Sequence, residues 1–107
     1  MRFQALDLSL HLIEALREPI RHLTGRDRNL AEQLRRAATS VPLNLSEGRR
    51  RIGKDRTYHY RVAAGSADEV RACLRVAEAW GYLEAEGLAE AFEICDRVLA
   101  MTWRLTH

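Results

Sequence analysis

Leu6, Leu8, Leu10 and Leu12 alternate with polar neighbours, a two-residue period that alone describes a strand with one buried face. The continuation overrides that reading. Leu6, Leu10, Ile13, Leu16, Ile20 and Leu23 recur three or four apart among good helix formers, which predicts a first helix through Leu23. Pro19 either bends it or opens a separate last turn, and Thr24 and Gly25 stop it. A second helix begins near Asp27 or Asn29, the latter with Glu32 three residues on as a variant capping box. Its apolar stripe is Leu30, Leu34, Ala37, Ala38, Val41 and Leu45, and Gly53 marks its latest end. Asp55 caps a third helix carrying Tyr58, Val62, Gly65, Val70, Cys73, Leu74 and Ala77 to a stop at Gly81. The fourth starts near Glu84, with Glu84 and Glu86 at its positive end, and carries Leu88, Ala91, Phe92, Cys95, Val98, Leu99, Thr102 and Leu105. Four helices with short connections predict an all-α fold, an up-down-up-down antiparallel four-helix bundle forming one domain over residues 1–107.

Projected around its axis, the second helix divides into three strips. Leu30, Leu34, Ala38, Val41 and Leu45 face the core, while Arg28, Arg35, Arg36, Arg49 and Arg50 spread over the far side. Between them Gln33, Ser40, Asn44, Glu47 and Arg51 form a polar ladder. Pro42 lies inside this helix, where a proline removes one backbone donor and crowds the carbonyl of Ala38, at about 3 kcal/mol. The helix is therefore expected to kink at Pro42, with Ser40 and Asn44 satisfying backbone groups near the kink and Glu47 pairing with Arg51 one turn on.

The same residues carry a resemblance. Gln33-Leu34-Arg35-Arg36-Ala37-Ala38, Ser40-Val41-Pro42-Leu43-Asn44-Leu45-Ser46-Glu47-Gly48, Gly65-Ser66 with Glu69, and Ala77 with Gly81-Tyr82-Leu83 resemble the bacterial four-helix-bundle family called S23-like, encoded in intervening sequences of large-subunit ribosomal RNA genes. The chain departs from the pattern in its short connection from Thr24 to Asn29 and at Ala67, where a larger aliphatic residue is common. The resemblance implies a helical bundle assembled as a five-fold ring. It also implies kinship with the accessory variability determinant proteins of diversity-generating retroelements, which bind a reverse transcriptase and nucleic acid through a basic surface. It supplies no catalytic residue and no cofactor.

Charge sharpens the picture. The net charge is only +2, yet residues 26–61 hold ten basic against four acidic side chains, and residues 62–107 hold four against eight. The arginine run Arg49, Arg50, Arg51, followed by Lys54, Arg56 and Arg61, suits phosphate, and Tyr58, His59 and Tyr60 beside it offer stacking faces if they are exposed; Tyr58 is expected in the core instead. Arg28, Arg35, Arg36, Arg49, Arg50, Arg51, Lys54 and Arg56 are thus the candidate nucleic-acid contacts, and Gln33, Ser40, Pro42, Asn44, Glu47 and Gly48 the structural motif. His11, His22, His59 and His107 show no ligand spacing, so no metal is expected, and Cys73 and Cys95 read as reduced core thiols. Glu47 and His59 form a conceivable acid and base pair without any nucleophile or phosphate-loop signature, so no enzyme is expected. Trp80 and Trp103 read as packing at the bundle ends. No run approaches the roughly 20 apolar residues of a membrane span and the start lacks a signal-peptide pattern, so a cytoplasmic location without membrane contact is expected.

Two functions survive: a homo-oligomeric accessory factor binding RNA or DNA without sequence preference, or an adaptor docking an acidic protein such as a reverse-transcriptase-like partner. Oligomerisation has its own warrant. In the first and last helices apolar side chains cover an arc of about 200°, against the roughly 100° that a surface helix needs. The expected solution mass at micromolar concentration, by sedimentation or light scattering, is a multiple of the 12.3 kDa chain; a monomer mass contradicts assembly.

Overall fold

The computed structural model describes residues 3–107; Met1 and Arg2, at the start of the predicted domain, lie outside the described residues. The chain forms α1 (Gln4–Thr24), α2 (Arg28–Arg49), α3 (Gly53–Ala79) and α4 (Ala85–Thr106), and no strand occurs among the described residues. α1 packs on α2, α2 on α3, α3 on α4, and α4 closes back on α1, which is the square of an antiparallel bundle. The long axis of 42 Å matches the 27 residues of α3 at about 1.5 Å each. The 22 × 20 Å cross-section is two helix diameters each way.

Chemistry at the helix ends sets the boundaries. Asp27, not Asn29, opens α2: its carboxylate accepts the Leu30 N–H at 3.0 Å. α3 starts two residues before the expected cap, because Gly53 takes a φ of +61° that turns the chain and leaves Asp55 inside the first turn. α3 stops in a Schellman arrangement. The Tyr82 N–H reaches the Ala77 carbonyl at 2.9 Å, the Gly81 N–H reaches Glu78 at 2.9 Å, and Gly81 supplies the positive φ of 78°. α1 and α2 each continue as one helix through Pro19 and Pro42, both buried.

Inside the square, the core differs from the expected stripe most clearly in α1. The buried row is Ala5, Leu8, Leu12, Leu16, Pro19 and Leu23, whereas Leu6, Ile13 and Ile20 are half-buried and Leu10 is 46% exposed. Both rows have helical spacing, and the positions of α2 and α4 select the one that is covered. The buried hydroxyls are satisfied within their own helices, Ser9 by the Leu6 carbonyl at 2.7 Å and Thr102 by that of Val98 at 3.0 Å. Cys73 and Cys95 are buried free thiols. Burial pushes the Cys95 thiol up to about 12, so it stays protonated while donating to the Ala67 carbonyl at 3.3 Å.

The aromatics depart from expectation. Tyr58 is 63% exposed, and Tyr60 is the buried tyrosine at 6%, because Tyr60 alone lies on the α3 face turned to α1 and α2, with its ring 5.9 Å from Phe3. Trp80 and Trp103 do not pack into the bundle ends; both are exposed and stack on Tyr82 and His107 respectively.

Among the glycines, Gly48 has the closest neighbours. A β-carbon there would lie 2.7 Å from Tyr60 Cε1 and 3.1 Å from His59 Cβ. Gly48→Ala is expected to destabilise by about 1–3 kcal/mol, several degrees in Tm for a domain of this size. Gly65 has open space around its missing β-carbon, and Gly65→Ala in mid-helix is expected to raise Tm slightly. Thermal melts followed by circular dichroism check both signs.

Candidate functional site

The polar ladder on α2 is the seam between α2 and α3. Its central rungs lie at Ser40 and Asn44. The Asn44 Nδ2 group donates to both the carbonyl and the hydroxyl of Ser40 at 3.0 Å, and the Ser66 hydroxyl of α3 donates to Ser40 Oγ at 2.8 Å. Asn44 Oδ1 meets His59 Nδ1 at 3.1 Å. With the Asn44 amide nitrogen turned to Ser40, its oxygen is the acceptor, so His59 carries its proton on Nδ1. Asn44 thus reaches the carbonyl of Ser40 rather than that of Ala38, which Pro42 leaves without its usual donor. Further along the seam, Gln33 Nε2 donates to Glu69 of α3 at 3.3 Å.

The ladder ends in charge. Glu47 accepts from Arg51 Nε at 2.9 Å and from Arg50 Nη2 at 3.2 Å. Those bonds, with Arg51 first, hold its carboxyl below the usual carboxylate range. Glu47 and His59 are therefore not a pair: the first is engaged by two arginines, the second by Asn44. Among the described residues, no three His, Cys, Asp or Glu side chains converge as metal ligands.

The predicted basic contacts fall into two groups rather than one face. Arg28 and Arg49 stand at opposite ends of α2, about 30 Å apart along the axis. At the first end Arg35 joins Arg17 and Arg21 of α1 along an open groove of about 680 Å³ floored by Ile13, Leu16 and Ile20, while Arg36 reaches Glu32 at 3.8 Å. At the second end, around the turn between α2 and α3, the cations differ in availability. Arg50 and Arg51 serve Glu47, and Arg56 donates to the carbonyls of Gly48 at 3.3 Å and Arg49 at 3.2 Å, finishing the C-terminus of α2. Arg49 lies 5.4 Å over the Phe3 ring. Lys54 and Arg61 are exposed and form no ion pair among the described residues. Arg61 was outside the predicted contact set. Its signal was nonetheless present, since it lies seven residues, two helical turns, beyond Lys54.

A family model matches residues 3–104, nearly the whole chain, and describes the 23S rRNA-intervening sequence protein. The chain belongs to that family. The fold is similar to the crystal structure of a protein of unknown function from the S23 ribosomal protein family of Bacteroides thetaiotaomicron. The TM-score is 0.82 at 16% identity, covering 95% of this chain and 97% of that one. At that identity the likeness is one of fold. No curated protein matches the chain. In family terms, the Ser40 to Gly48 segment is the part of α2 that closes on α3, through the Ser40 and Asn44 bonds and the Gly48 contact.

Removing Asn44 unties three bonds and leaves the Ser40 hydroxyl and His59 without that partner. Asn44→Ala is expected to cost about 1–3 kcal/mol, seen as a lower Tm with the helical signal retained below the transition. An unchanged melt would make the ladder a solvated surface strip.

Proposed function

We propose that this protein is a non-enzymatic homo-oligomeric accessory factor that binds nucleic acid without sequence preference through the basic end formed by the turn between α2 and α3. The observation that carries the reading is the cluster of exposed cations there, with Lys54 and Arg61 lacking any ion-pair partner among the described residues. Unpaired cations on a rigid helix attract phosphate and gain from the counterions it releases. The family's name, which ties its members to intervening sequences of 23S rRNA, supports the same reading. Assembly is supported by the second apolar row of α1, with Leu6, Ile13 and Ile20 half-covered and Leu10 wet, and by the exposed Leu43 of α2, and five copies follow from the resemblance to ring-forming relatives. A ring repeats the basic end once per subunit, so weak contacts become avid.

The groove between α1 and α2 favours a second reading, an adaptor for an acidic protein segment, because its floor is apolar and three arginines line it. Separate charge reversals distinguish the two. Lys54→Glu with Arg61→Glu is expected to abolish binding to a labelled oligonucleotide, and Arg17→Glu with Arg35→Glu to leave it largely intact. Wild-type affinity is expected to fall steeply between about 50 and 200 mM salt. Salt-independent binding, or loss only in the groove variant, refutes the nucleic-acid reading.

A further inference from the structure

We propose that Tyr58 is a stacking platform for unpaired bases, which makes the ligand of the basic end single-stranded nucleic acid. This rests on the nucleic-acid reading above and narrows it. Tyr58 is 63% exposed in the second turn of α3, and its phenol has no hydrogen-bond partner among the described residues. Its one ring contact among the described residues is an edge-to-face approach to His59 at 5.2 Å, and much of its surface stays open.

Its place on α3 gives the exposure meaning. Lys54 lies four residues before it and Arg61 three after, so all three share a strip of the helix. At about 1.5 Å per residue the cations stand some 6 Å and 4.5 Å away along the axis, one on each side of the ring. The next residue of the strip, Gly65, is exposed with nothing around its missing β-carbon, so a sugar-phosphate chain can pass close to the helix there. Asp55, the nearby carboxylate, lies 4.0 Å from Arg51, which offsets its charge.

An aromatic face between two cations suits a base with its flanking phosphates. A duplex keeps its bases stacked inside and has no use for the ring. The neighbouring tyrosine cannot substitute, since Tyr60 is buried against Phe3 and Gly48. An anionic membrane would need a broader apolar face than the exposed Ile52 provides beside this strip.

The test measures fluorescence anisotropy of labelled oligo(dT), of a blunt duplex of the same length, and of the protein with phosphatidylserine vesicles, at low salt. Tyr58→Ala is expected to weaken oligo(dT) binding about 5- to 150-fold. Duplex binding should be unchanged, and Tyr58→Phe should bind oligo(dT) like the wild type. A melt like that of the wild type establishes that the exposed substitution leaves the fold intact. Equal loss for single strand and duplex, no loss in Tyr58→Ala, or failure of Tyr58→Phe to rescue overturns the stacking role alone. Binding of neither nucleic acid overturns the parent reading with it, as does binding to vesicles only.

Discussion

The close contact of α2 with α3 is the constraint on which the rest of the molecule depends. Where Gly48 meets the Tyr60 ring, a β-carbon at Gly48 would lie 2.7 Å from Cε1, so any side chain there would force the ring to move. That approach lets short side chains bridge the gap further along. Ser40 and Ser66, two of the shortest polar side chains, meet across it at 2.8 Å. A seam of serine, asparagine and histidine is directional in a way that leucine packing is not. Sliding or rotating α3 against α2 would break several specific bonds, whereas an apolar interface would repack at small cost.

The seam also organises charge. It ends at Glu47, which pairs with Arg50 and Arg51 at the surface, and Arg56 turns back onto the last carbonyls of α2. Four of the basic residues around the turn thus have structural or packing duties, Arg49 lying over Phe3. The cations left facing outward are on α3, with Tyr58 between them. Stabilising the helix junction and presenting outward-facing cations are therefore divided among different residues, and the cationic strip rides on a helix whose position is fixed by the seam.

Proline in α2 fits the same arrangement. Pro42 is buried in a helix that continues past it, and the next turn carries Asn44, whose amide bonds backward to Ser40 and whose oxygen faces His59. The local disadvantage of the proline sits within the stretch where tertiary bonds are densest. The helix is held there by its neighbour as well as by its own hydrogen bonds.

Much of this was legible in the sequence. Apolar spacing gave four helices, the Gly and Asp punctuation gave their ends to within a few residues, and the projection of α2 separated the polar ladder that became the seam, because these depend on local geometry alone. The sequence could not say which of two apolar rows on α1 turns inward, since Leu8, Leu12 and Leu16 and Leu6, Leu10 and Ile13 are equally helical in spacing; only the placement of α2 and α4 decides it. Nor could it tell Tyr58 from Tyr60, two residues and about 200° apart on the helix, or a free arginine from one engaged by Glu47. Periodicity fixes the angle between side chains on one helix, but its absolute rotation toward the core, and the partners that wait there, exist only once the other helices are in place.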